Sequence, residues 1–233
     1  MEVFSYESQM SETKTINKFL AKVYAWMILA MLITAASSVW VLILIAANQD
    51  LAKLLFNSYM FFIILEIWLV FAISFLISRI STFVAILFFL LYSFVNWVTL
   101  SMIFFVYDPF SIAIAFLVTS AVFLFMSLYW ARTSADLTSF WRLLIVWLFW
   151  IIFATIVNFF FNSSWFSYLL SWASVVIFTW LIAYETQMLK TLWNQSILTP
   201  EEKNKYAIIW ALNLYLDFIN LFLNLLRLLW WRD

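Results

Sequence analysis

The stretch LLIVWLFWIIFATIVNFFFNSSWFSYLLSWASVVIFTWLIAY, Leu143 to Tyr184, holds 42 residues and no charged side chain. An α-helix rises about 1.5 Å per residue and a bilayer core is about 30 Å thick, so one crossing takes about 20 apolar residues. The run is therefore too long for one crossing and fits two. Asn162-Ser163-Ser164 breaks it near the middle as a tight hairpin. A pair of uncharged helices joined this way reads as a membrane hairpin.

Outward from it, charge-free runs mark the other spans. Val23–Gln49 is span one, and Leu54–Ser78 is span two, interrupted only by Glu66. Ile80–Tyr107 is span three. Asp108-Pro109 makes a turn, because proline lacks the N–H a helix interior needs. Span four runs from about Phe110 to Trp130, and Arg132–Arg142 is a short polar connection. Gln187–Lys205 reads as a polar loop holding Pro200-Glu201-Glu202-Lys203, and Tyr206–Leu229 is span seven, interrupted by Asp217. The fold class is an all-α membrane protein of seven spans. We read one transmembrane domain, 23–229, between a polar cytoplasmic segment, 1–22, and a short tail, 230–233. No internal repeat or second domain stands out.

Composition agrees. The chain is 67% hydrophobic and 10% charged, with a mean hydropathy of +1.04. Soluble domains are about 45–50% apolar and about 25% charged, so lipid is the solvent that fits. The first 22 residues lack an apolar core followed by a cleavage site, and span one is expected to serve as its own insertion signal. Nine of the 12 Lys and Arg, among them Lys14, Lys18, Arg79, Arg132 and Lys203, fall on the amino-terminal side, and Lys53, Arg227 and Arg232 fall on the other. The positive-inside rule then places the amino terminus in the cytoplasm. An odd number of spans puts the carboxyl terminus outside, and a re-entrant last span returns it to the cytoplasm.

Net charge is zero, so nothing points to nucleic acid. Cysteine and histidine are absent. That excludes disulfides, thiolate and imidazole metal sites, and His-dependent catalysis. No cofactor is expected. Glycine is absent too, although average usage of about 7% predicts roughly sixteen. With 15 Trp and 27 Phe in their stead, the composition reads as a redesign in which bulkier residues replaced glycine.

Three acids fall within spans: Glu66, Glu185 and Asp217. A charge at a helix centre costs about 2.5–3.5 kcal/mol on insertion scales, and such residues face a bundle interior or water. Asn213, Asp217, Asn220 and Asn224 recur at +4, +3, +4. At about 100° per residue they form one narrow stripe on span seven. The alternative use of these amides is to hold helices together. Glu185 shares a face of span six with Ser171 and Ser174, or else snorkels to water from the span end. Glu66 has no polar stripe on its own helix and pairs with another helix or sits neutral in a hydrogen bond. Tyr92, Asn96 and Thr99 give span three a short polar face that reads as interhelical hydrogen bonding. Trp230 and Trp231 read as an interfacial belt. Two carboxylates side by side in a low-dielectric site share a proton rather than both ionising. Carboxylate and amide oxygens are also the ligands calcium takes. Residue type and spacing thus point to a proton or cation path.

LYLDFINLFLNLLR, Leu214–Arg227, closely resembles the last-helix signature of the Bax inhibitor family, the transmembrane Bax inhibitor motif proteins, in its bacterial seven-helix form. AYETQ, Ala183–Gln187, resembles the family's Ala-Tyr-Asp-Thr-Gln at the end of the sixth helix. KVYAWM from Lys22 resembles the opening of its first helix, and MSLY from Met126 with DLTS from Asp136 resembles its fourth helix and following loop. The resemblance spans nearly the whole chain. It implies a seven-helix fold with the last helix surrounded by the other six, and a pH-sensitive calcium leak. It further implies that acids at Glu185 and Asp217 gate that leak as a proton-sharing pair, binding calcium in passing as the permeant ion. It makes Arg79 the nearest candidate for a basic latch on Glu185, and Glu66 the second-helix acid. Glu185 departs from the family's Asp by one methylene, and Trp130, Trp141 and Trp180 stand where small residues are common.

Two further readings compete. One is a stabilised copy of the fold without transport, motivated by the missing glycines. The other is an intramembrane aspartyl protease, disfavoured because the glycine beside its aspartate cannot exist here and one acid is Glu. We expect no enzyme, lipid, calcium and protons as partners, and a monomer; protein partners are not legible.

Overall fold

The computed structural model describes residues 2–76, 79–133, 137, 140–194 and 199–230. Among them α1 (Glu2–Ala47) runs without a break from the polar amino-terminal segment into span one. No proline lies between segment and span to stop it. The expected second span is divided at Ser58 into α2 (Gln49–Asn57) and α3 (Tyr59–Leu76). The Asn48 side chain caps α2 by accepting from the Asp50 and Leu51 N–H groups at 3.0 and 3.2 Å. Ala52 and Leu55 of α2 then pack on the buried Val41, Ile45, Trp97 and Val98, while Lys53 and Asn57 stay exposed.

Span three is α4 (Thr82–Ser101) followed by the single turn α5 (Ile103–Val106). Asp108 and Pro109 do more than turn the chain. The Asp108 carboxylate accepts the Ser111 N–H at 2.9 Å, and Pro109 takes the first position of α6 (Pro109–Arg132), where its missing N–H is not needed. The hairpin between α7 (Trp141–Phe161) and α8 (Ser164–Asn194) forms where expected. Asn162 closes α7 in the left-handed conformation, φ 50° and ψ 39°. That site is usually glycine, with asparagine the next choice.

The expected polar loop over Gln187–Lys205 is corrected. α8 continues to Asn194, and α9 (Pro200–Trp230) already begins at Pro200. Thr199 and Glu202 form a reciprocal cap: Thr199 Oγ1 accepts the Glu202 N–H at 3.3 Å, and Glu202 Oε2 accepts the Thr199 N–H at 2.8 Å. Among the described residues, the polar side chains there belong to the ends of α8 and α9 and to the Thr199 cap.

Seven helices among the described residues are long and apolar enough to cross a bilayer. The last is the most buried: 56% of its most apolar window is buried, against 50% for the third span and 11% for α7. The chain divides into two compact units, Met1–Val106 with Trp193–Leu212, and Tyr107–Leu192 with Asn213–Asp233. In the first, α4 packs on α1 and α3. Ala30, Ala85 and Ser93, all fully buried, allow the close approach that glycine gives elsewhere. Thr34 Oγ1 reaches the Ser93 carbonyl across this contact at 3.1 Å. In the second, Phe116 and Phe123 of α6 set their edges against Phe218 of α9, with centroids 5.6 and 5.8 Å apart.

Candidate functional site

The second unit brings together the two acids paired on sequence grounds. Glu185 on α8 and Asp217 on α9 are both 6% exposed and are neighbours in this unit. Glu185 Oε2 and Asp217 Oδ2 are buried without a hydrogen-bond partner among the described residues. Carboxylate oxygens buried this way are costly unless a proton, a cation or a donor satisfies them.

The stripe on α9 runs away from this pair. Asn213, Asn220 and Asn224 are half-buried. The Asn220 side-chain amide donates to the Leu216 carbonyl, and that of Asn224 to the Asn220 carbonyl, both at 2.8 Å. One N–H of each of these two amides is thus used along the helix itself, and each also carries a side-chain oxygen that can accept. Arg227 continues it. Its Nη1 donates to Ser171 Oγ on α8 at 3.3 Å, and Ser171 Oγ in turn donates to the Ser167 carbonyl at 3.0 Å. Asn158 on α7 joins this end by donating to Ser167 Oγ at 2.6 Å. A polar seam therefore lies between α8 and α9, with a pair of acids near one end and a guanidinium near the other. On sequence grounds Arg227 counts only for its charge. Its place at Asp217 +10, on the stripe by helical geometry, is the signal that could have found it.

The remaining site residues lie in the first unit. Glu66 on α3 is half-buried and accepts from Thr99 Oγ1 on α4 at 2.8 Å, with the Asn96 side chain also bonding to it. Its partners stand on the polar face noted for span three. Arg79 is exposed in the turn after α3, where its main-chain N–H bonds to the Leu76 carbonyl at 2.8 Å. Among the described residues no three His, Cys, Asp or Glu side chains gather as a metal site. Calcium takes about six to eight oxygens, more than the two carboxylates supply.

The family described as "Inhibitor of apoptosis-promoting Bax1" matches residues 16–232, which includes both acids, the stripe and Arg79. The chain belongs to the Bax inhibitor family. Relatives are similar over most of their length. An uncharacterized protein of Borreliella burgdorferi is 43% identical over 216 residues, covering 91% of each chain. The inner membrane protein YbhL of Escherichia coli K12 is 41% identical over 219 residues, again 91% of each. An uncharacterized membrane protein of Streptococcus pyogenes serotype M1 is 35% identical over 216 residues, 91% of this chain and 92% of its own. Like other Bax inhibitor family proteins, the chain is an integral multi-pass membrane protein.

Proposed function

We propose that this Bax inhibitor family protein is a pH-sensitive calcium leak gated by Glu185 and Asp217. The observation that carries the reading is the pair itself: two buried carboxylates on neighbouring helices, each with an unpartnered oxygen. Such a pair shares one proton across a range of pH. The stripe of Asn213, Asn220 and Asn224 supplies further oxygens along α9 for a cation in transit. In this reading Arg79, at the end of the second span, is the basic partner of Glu185 in the closed state. Protonation of the pair releases it and lets that span move. The amino terminus lies in the cytoplasm and the carboxyl terminus outside. The carboxylates act on ions and protons, and the chain is not an enzyme.

The test is calcium entry into dye-loaded proteoliposomes at pH 6 and pH 8, with Asp217→Asn alongside. Flux that changes with pH and loses that response in Asp217→Asn is the expected result. A pH response unchanged in the variant rules out the pair.

The second reading, a stabilised copy of the fold with no transport, is supported by the absence of glycine. It is also supported by the interlocked rings of Trp130 and Trp180, centroids 6.1 Å apart, where the family resemblance leads one to expect small residues. It predicts flux equal to that of protein-free liposomes at both pH values.

A further inference from the structure

α8 meets its neighbours with two opposed faces. Trp180, Tyr184 and Gln187 lie within about 60° of one another at roughly 100° per residue. Besides Trp130 of α6, which packs on Trp180 with centroids 6.1 Å apart, partners come from the connection between α6 and α7 and from the first residue of α7. The Phe140 ring stacks on Trp180 with centroids 6.5 Å apart and 18° between planes. Trp141 stacks on Tyr184 more closely, at 4.4 Å and 13°. Gln187 Oε1 accepts the Leu137 N–H at 2.7 Å, and Leu137 is itself buried, 4% exposed. The Phe140 N–H closes on the Leu137 carbonyl at 2.9 Å, so these partners form one short unit.

The other face of α8 carries Ser167, Ser171, Ser174 and Glu185. It is centred about 140° round the helix from the first. This is the face turned to α9, where Arg227 bonds to Ser171 and Asp217 neighbours Glu185. Residues 181–186 are all buried, so the helix is enclosed on both sides at the level of the acid. Glu185 therefore keeps its place on the side facing α9 only as long as α8 holds its rotation. A side-chain tip about 5–6 Å from the helix axis moves about 3 Å for a turn of about 30°, enough to separate the carboxylates. The Ala183–Gln187 motif has a divided role: Tyr184 and Gln187 are gripped from behind, and Glu185 between them is aimed forward.

We infer that Leu137, Phe140 and Trp141 clamp the rear face of α8 and so hold Glu185 against Asp217, making Trp141 and Gln187 positioning residues for the acid pair. The geometric claim stands by itself; its consequence for pH response rests on the function proposed above.

Because the chain has no cysteine, a Glu185→Cys/Asp217→Cys double variant reports the separation of these positions directly. In proteoliposomes it is treated with bis-methanethiosulfonate reagents of increasing length. The shortest reagent that links the two sites, and the rate at which it does so, are compared when Trp141→Ala, Trp141→Phe or Gln187→Ala is added. The inference expects Trp141→Ala and Gln187→Ala to lower the rate with that reagent about tenfold or more, as a proximity-controlled reaction should respond. Trp141→Phe, which keeps a ring to stack, restores it. Equal rates in all four proteins overturn the inference. If Trp141→Ala does not fold, Gln187→Ala decides alone, since it deletes the bond to Leu137 and little volume. Calcium flux with both acids intact then reads the consequence: Gln187→Ala shifts the pH midpoint of the leak. Absence of flux in the parent chain counts against the proposed function, and the linking rates still decide the clamp.

Discussion

Glu66 sits within a helix that crosses the bilayer, and Thr99 Oγ1 on the next span lies 2.8 Å from its Oε1 and 2.9 Å from the Asn96 carbonyl. Interhelical hydrogen bonds in membranes couple by about 0.6 kcal/mol on average and rarely beyond about 2. A double-mutant cycle of Glu66→Gln and Thr99→Val, read by unfolding in detergent, should return a coupling in that range, and a value near zero would remove the bond from any account of the fold. The sequence shows Glu66 and shows Thr99, yet does not join them. The spacing within a helix is fixed by 3.6 residues per turn, whereas the register between two helices depends on packing that no periodicity records. For the same reason the stripe through Asp217 is legible on α9, while the Arg227–Ser171 and Gln187–Leu137 bonds are not. The pairing of Glu185 with Asp217 comes from family resemblance, and the structure places the two together.

Among the helices themselves, ends are harder to read than middles. The Asn162 hairpin is visible because three polar residues interrupt 42 uncharged ones. A side chain with Cβ in the left-handed region costs about 1–2 kcal/mol, less for asparagine. Asn162→Ala should therefore lower the unfolding free energy by about 1 kcal/mol, and Asn162→Gly should not. At the start of α6, the Ser111 hydroxyl and main-chain N–H hold the Asp108 carboxyl below the usual carboxylate range. A carboxylate lowered in this way stabilises the folded state above its unfolded pKa, about 3.9, and that contribution fades as pH falls through the folded value. Amide protection over Phe110–Ile112 should be lower in Asp108→Ala than in the parent at neutral pH, and the two should converge in acid. Asp108→Asn, which keeps an acceptor without a titrating group, should follow the parent at neutral pH and keep its protection in acid. The misread loop over Gln187–Lys205 has a plain cause. Polar composition marks departure from lipid, but a helix continues into water wherever a cap such as Thr199–Glu202 supports it.

For the molecule as a whole, burial is distributed unevenly, and stability should follow. Leu221 on α9 is fully buried, and Phe153 on α7 is 50% exposed. Leu221→Ala should cost about 2–5 kcal/mol as a cavity substitution, while Phe153→Ala should stay within about 0.5 kcal/mol; thermal unfolding in the same detergent compares them directly. Seven spans are legible because charge-free length alone reports a crossing. That the last span is the buried one is legible from its polar stripe and from the family resemblance. That stripe also bears on how the protein is made. α9 has the lowest hydropathy of the seven spans, 1.5 against 2.1–2.5 for the first five. It is also the last of them to leave the ribosome. Lipid alone is a poor host for a helix carrying Asn213, Asp217, Asn220 and Asn224, so its entry depends on partners already in place. The earlier helices then serve as its insertion site, and α9 synthesised behind an unrelated leader should be left unintegrated in a membrane that accepts it at the end of the full chain.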